Sequence, residues 1–155
     1  MAVKTGDRAP EFDLDVGHGE RVRLSDFFGR SNVLLVFHPF AFTPVCEDEA
    51  LDLQENLESF RNAQTEIVLV SCDPAPSRQA WKEKLGAEYT FASDFWPHGA
   101  VAKSYGVFNE EAGAAFRGTF LIATDGTVIW SLVKMPDERR TEMVPDSLEA
   151  LSTAR

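Results

Sequence analysis

Val33-Leu34-Leu35-Val36-Phe37-His38-Pro39-Phe40-Ala41-Phe42-Thr43-Pro44-Val45-Cys46 carries the chain from one kind of structure into another. The first five residues are an uninterrupted apolar run, and the pattern predicts a buried strand over 33–38. Thr43 is a natural N-cap. Pro44 suits the first helical position, where an N–H would have no partner anyway. Val45 and Cys46 then take the second and third helical positions. A thiol there faces unpaired backbone N–H groups and the positive end of the helix dipole. Both favour the thiolate, which is the reactive form of cysteine. Downstream, Ala50, Leu53, Leu57 and Phe60 recur at helical spacing. Cys46 shares their face, so its sulfur is expected to point inward or into a crevice.

On either side the chain alternates strands and helices. Phe12 and Leu14, then Val22 and Leu24, alternate with polar neighbours around a turn at 16–20, which predicts a hairpin. Ser25 to Gly29 reads as a short helical turn. Glu66 to Cys72 is a second apolar strand, followed by a loop at 73–76 and a helix expected to run from a Ser77 cap to about Leu85. Phe91 is read as the end of a short strand, and Pro97 to Tyr105 as a helix closed by Gly106. Thr119–Ala123 and Val128–Trp130 flank Thr124-Asp125-Gly126-Thr127, a hairpin. A last helix is expected from Pro145 or Asp146, burying Leu148 and Leu151. This order predicts one domain over 1–155, an α/β sandwich with a central mixed sheet. A parallel pair joined by a crossover helix would place Cys46 at the C-terminal end of a strand, where open α/β sheets hold their sites.

Composition narrows the chemistry. The net charge of −10 argues against nucleic acid or an anionic membrane as partner. No apolar stretch approaches the roughly 20 residues of a membrane span. Residues 1–7 lack the apolar core of a signal peptide, so a cytoplasmic location is expected. There are two cysteines, Cys46 and Cys72, and no CxxC pair. His18, His38 and His98 show no metal-ligand spacing with them, so no metal is expected. Phosphate-binding glycine loops and serine nucleophile elbows are also missing.

Pro39-x-x-x-Thr43-x-x-Cys46 resembles the active-site signature of peroxiredoxins, thiol peroxidases on a thioredoxin-like α/β fold with an N-terminal hairpin extension. Arg117-Gly118-Thr119-Phe120 resembles the segment that supplies that family's active-site arginine. Ser93-Asp94-Phe95-Trp96-Pro97-His98-Gly99-Ala100-Val101 and Tyr105-Gly106-Val107-Phe108-Asn109-Glu110 are similar to the one-cysteine AhpE-type branch. The likeness runs from Gly6 to the last helix. It implies that Cys46 attacks a peroxide oxygen and becomes a sulfenic acid. By the same resemblance Arg117 stabilises the thiolate and the peroxide oxygens, and Pro39 shields the sulfur from water. Thr43 is a helix cap, a hydrogen-bonding partner for the peroxide, or both. The implied substrates are hydrogen peroxide and organic hydroperoxides. The implied reductant is a low-molecular-weight thiol or a thioredoxin- or glutaredoxin-like protein, with no cofactor. A homodimer or higher homo-oligomer is expected, with Tyr105, Phe108 and Phe116 as candidate subunit contacts.

Some residues keep two readings. Glu49 shares the helical face of Cys46, and the resemblance implies that it holds and orients Arg117; its other reading is a solvated surface acid. Glu47 and Asp48 should point away from the sulfur, since like charge beside a thiolate opposes its formation. Cys72 is the candidate resolving thiol, but it extends an apolar run, and a one-cysteine cycle is favoured. His38 stands where an aromatic residue is expected before the proline. It either tunes the thiolate through its own charge or is a packed or surface histidine. Trp81 and Trp96 are core or interface aromatics. A peroxide sensor that passes oxidation to a partner protein is the alternative function. A non-catalytic interaction module would have no use for Pro39, Thr43, Cys46 and Arg117 together.

Overall fold

Val33 to Phe37 and Ile67 to Val70 are apolar at every position because both faces of their strands are covered. A computed structural model describes residues 2–154. In it, side chains leave the two strands alternately, as strand geometry requires. Val33, Leu35, Phe37, Val68 and Val70 join one apolar layer with Phe12, Leu14 and Phe120. Leu34, Val36, Ile67 and Leu69 join the other, with Leu53, Phe60, Trp81 and Cys46.

The chain begins with a hairpin, β1 (Asp13–Gly17) and β2 (Glu20–Arg23), and a short 3-10 turn at Leu24–Phe27. Then come β3 (Asn32–Phe37), α1 (Pro44–Glu55), α2 (Leu57–Asn62), β4 (Thr65–Ser71), α3 (Ala75–Leu85), β5 (Thr90–Ser93) and α4 (Ala100–Ser104). A two-stranded ribbon, β6 (Phe108–Asn109) with β7 (Ala114–Ala115), precedes β8 (Arg117–Ile122), β9 (Val128–Lys134) and α5 (Met143–Thr153). Among the described residues the main sheet has seven strands in the order β2-β1-β5-β4-β3-β8-β9. β3 and β4 are parallel, with Leu34 opposite Ile67. β8 runs antiparallel to β3, with Val36 opposite Thr119. The sheet is mixed, as the element order implies. β3 delivers α1 at its C-terminal end, and β8 starts beside that end with Arg117.

Several boundaries differ from the sequence reading. The helical stretch after Thr43 is two helices, broken at Asn56, whose side-chain amide donates to Asp52 O at 2.8 Å. This is the local competition with helix that asparagine offers. α3 starts at Ala75, with Pro74 as N-cap rather than Ser77. Pro76 fits its first turn, where no N–H is needed. β5 continues past Phe91, because Ala92 and Ser93 still pair with Val70 and Ser71. α4 starts at Ala100, not Pro97, since Gly99 precedes it at φ 70°. A Cβ at Gly99 would also lie 2.2 Å from Phe108 Cε1, so only glycine fits there. α5 begins at Met143, two residues early, and the β6–β7 ribbon has no strong periodic signal in so few residues. Tyr105 is not a surface contact: it is fully buried, and its hydroxyl donates to Pro10 O at 2.7 Å. Phe108 and Phe116 pack partly buried against the same layer. Trp81 is core, whereas Trp96 is 82% exposed.

Candidate active site

The loop between β3 and α1 is held from two sides. The Ala41 N–H donates to Asp73 Oδ2 at 2.8 Å, and the Thr43 hydroxyl donates to Phe40 O at 2.8 Å. Thr43 is therefore the N-cap by position, but its side chain caps nothing. Phe42 takes a φ of 65°, the left-handed region that bulky residues avoid, just before the chain turns into α1. The first helical bond runs from Glu47 N–H to Thr43 O. The N–H groups of Val45 and Cys46 thus have no partner further back in the helix.

Cys46 lies in this first turn, 2% exposed. Arg117 Nη1 donates to its Sγ at 3.3 Å and to Glu49 Oε1 at 2.6 Å. The Arg117 Nε–H donates to Pro136 O at 2.8 Å, which fixes the plane of the guanidinium. Glu49 is buried with it and accepts three more bonds, all from Arg140. These come from the backbone N–H (2.8 Å) and Nε (2.9 Å) to Oε2, and from Nη2 (2.8 Å) to Oε1. Arg140 Nη1 in turn donates to Gly118 O at 3.0 Å and Thr119 Oγ1 at 2.8 Å. Burial pushes the Glu49 carboxyl up, but the bonds and charge of Arg140, with the charge of Arg117, outweigh it and hold it below its ordinary value. Glu49 is a bridge between two arginines and not a solvated acid. Asp48 is exposed and Glu47 half-buried on the same turn.

The AhpC/TSA family profile matches residues 5–131. Alkyl hydroperoxide reductase E of Mycobacterium tuberculosis is 40% identical over 151 residues, 97% of this chain and 99% of that protein. The chain belongs to the AhpC/TSA family, the peroxiredoxins. Peroxiredoxin Bcp of Bacillus subtilis is 33% identical over 145 residues, 88% of this chain and 90% of that one. Among solved structures, peroxidoxin BcpB of M. tuberculosis superposes with a TM-score of 0.88 at 29% identity, covering 98% of both chains. The fold is thus the thioredoxin-like α/β arrangement of peroxiredoxins.

In this peroxiredoxin the sequence motif and the geometry converge at Cys46, Glu49 and Arg117. Pro39 is buried and the nearby Thr43 is half-buried, both on the β3–α1 loop. Arg140 belongs to the same cluster and carries no motif signal. His38 is buried and receives Arg78 Nη1 at Nε2, 2.6 Å away, while its Nδ1 has no hydrogen-bond partner among the described residues. Burial, then the charges of Arg78, Arg140 and Arg117, hold its pKa well below 6.5, so it is a neutral ring and tunes nothing by its own charge.

Cys72 is buried one residue past the end of β4. Burial, with the charges of Asp94 and Asp73, pushes its thiol up to about 12. Both cysteines are free.

Proposed function

We propose that this peroxiredoxin is a one-cysteine thiol peroxidase for hydrogen peroxide and organic hydroperoxides. The observation that carries this reading is the single Arg117 Nη1 that touches both Cys46 Sγ and Glu49. A guanidinium so anchored supports the thiolate before reaction and the oxygen that gains charge during it.

The thiolate attacks one peroxide oxygen, and the S–O bond forms as the O–O bond breaks. Sulfur loses two electrons and becomes a sulfenic acid; the leaving oxygen takes a proton and departs as water or an alcohol. Thr43 contributes through its lone pairs. Its hydrogen is committed to Phe40 O, so the oxygen is left to accept from the peroxide O–H. The N–H groups of Val45 and Cys46 are the donors for the reacting oxygens, and Pro39 shields the sulfur. A low-molecular-weight thiol or a thioredoxin- or glutaredoxin-like protein then attacks the sulfenic sulfur, releasing water, and a second thiol frees Cys46. A dimeric, cytoplasmic protein is the setting in which we place this cycle. The exposed aromatics Phe42, Phe95 and Trp96 support self-association, and two free thiols suit a reducing compartment. Among the described residues no helix is long and apolar enough to cross a membrane.

One equivalent of hydrogen peroxide added to the reduced protein is expected to convert Cys46 to a trappable sulfenic acid. Cys72 should remain a free thiol, because burial keeps it protonated at neutral pH. Peptide mass spectrometry after dimedone trapping reads both. An intramolecular Cys46–Cys72 disulfide as the main product would replace the one-cysteine cycle with a two-cysteine one.

A further inference from the structure

Behind the β3–α1 loop lies an arginine that the reaction as written does not use. Arg78, on α3, is fully buried. Its donors go only to neutral groups: Nε to Ala92 O at 3.0 Å, Nη2 to Leu69 O at 2.7 Å and Nη1 to His38 Nε2 at 2.6 Å. The guanidinium lies 5.6 Å from the Trp81 ring and 5.1 Å from the Phe91 ring. No carboxylate touches it among the described residues. Burial lowers its pKa to about 10, so it is still a cation at neutral pH. Asp73, Tyr89, Cys46 and Cys72 are the titratable groups near enough to act on it.

We infer that Arg78 is a positioning residue for charge, the third cation that balances the Cys46 thiolate from behind. The inference rests on the reading of Cys46 as the reactive sulfur. Arg117 from β8 and Arg140 from the segment before α5 bond Glu49 at 2.6 and 2.9 Å, and Arg78 from α3 feels the charge of Asp73 without touching it. Three positive charges against two negative ones leave room for one more anion, which the thiolate fills. The other titratable groups do not change this balance. His38 is neutral, Tyr89 and the Cys72 thiol are kept protonated by burial, and Asp48, Lys84 and Arg139 are exposed. Glu47 is half-buried on α1. His38 serves here as the acceptor that fills the guanidinium fork without cancelling its charge. A carboxylate there would pair with Arg78 and remove the surplus.

The test is the pH dependence of Cys46 alkylation by iodoacetamide, read on its own peptide by mass spectrometry. Loss of the charge in Arg78→Met is expected to move the midpoint up by about one pH unit, a tenfold loss of thiolate below it. Arg78→Lys keeps the charge and should restore most of the shift. Asp73→Asn, which removes an anion, should move the midpoint down, and this arm stands even if Arg78→Met does not fold. A purely structural Arg78 predicts no such opposite signs. A folded Arg78→Met with the wild-type midpoint, an Arg78→Lys shifted as far as Arg78→Met, or an Asp73→Asn without a downward shift would each overturn the inference. Peroxide oxidation of the wild-type protein is followed in parallel. If it fails, the peroxidase reading fails, whereas the titration arms report only on the sulfur's ionisation.

Discussion

Cys46→Ser is expected to abolish peroxide-dependent oxidation of a thiol reductant, a loss on the order of a thousandfold or more. The serine hydroxyl stays protonated in the same cluster of donors, and alcohol oxygen does not take up a second oxygen as sulfur does. The substitution is nearly isosteric at a buried position, so the fold should survive it, and circular dichroism can check this. Peroxide consumption with excess dithiothreitol is the assay. It also separates a peroxidase from a sensor, because the wild type should turn over many equivalents with a generic thiol, whereas a sensor would stop after one. A Cys46→Ser protein that keeps a tenth of the activity would move the chemistry to another residue.

Glu49→Gln should show the second large effect, on stability and rate together. The carboxylate accepts one bond from Arg117 and three from Arg140, all buried. A neutral amide leaves two buried guanidiniums without their counter-charge, and its NH2 group points a donor at donors. Breaking a buried ion pair in this way costs about 3–5 kcal/mol, or roughly 10 °C in melting temperature for a chain of this size. The pH dependence has a definite sign. The Glu49 carboxyl is held below its ordinary 4.5 in the fold, so the stability it contributes is fully present above that value and is lost as pH falls through the lowered one. The gap between wild type and variant should therefore be full at neutral pH and shrink in acid. Arg117 would also lose its anchor, and the peroxide rate should fall at least tenfold. A variant melting within about 2 °C of wild type, with an unchanged rate, would show that Arg117 needs no anchor.

Much of this is legible in the residues because the signals are local. Five apolar residues before a proline-bearing N-cap segment specify a buried strand, a turn and a helix without outside help. Thr124-Asp125-Gly126-Thr127 specifies its hairpin in the same way. Helical spacing puts Glu49 on the face of Cys46, and the family resemblance supplies Arg117 as its partner. Neither reaches Arg140. It sits in Met135 to Glu142, which has no periodicity, and nothing nearby distinguishes it from Arg139, which is exposed while Arg140 is buried. Only docking of that segment against Gly118 and Thr119 chooses between them. Arg78 was hidden for a related reason. A charged residue on a polar-looking helix reads as solvated, and only the packing of Trp81 and Phe91 around it shows otherwise. The Thr43 hydroxyl misled in a smaller way: its type fits a cap, yet Phe40 O lies within reach and competes for its hydrogen.

The guanidinium that touches the sulfur is brought 71 residues along the chain to meet it. Stopped-flow oxidation of reduced wild type and Arg117→Met by hydrogen peroxide at neutral pH tests its role most directly. The wild type should react in a fast single-turnover step, and the variant about a hundredfold to a thousandfold more slowly while still folded. Equal rates for the two proteins would contradict the assignment.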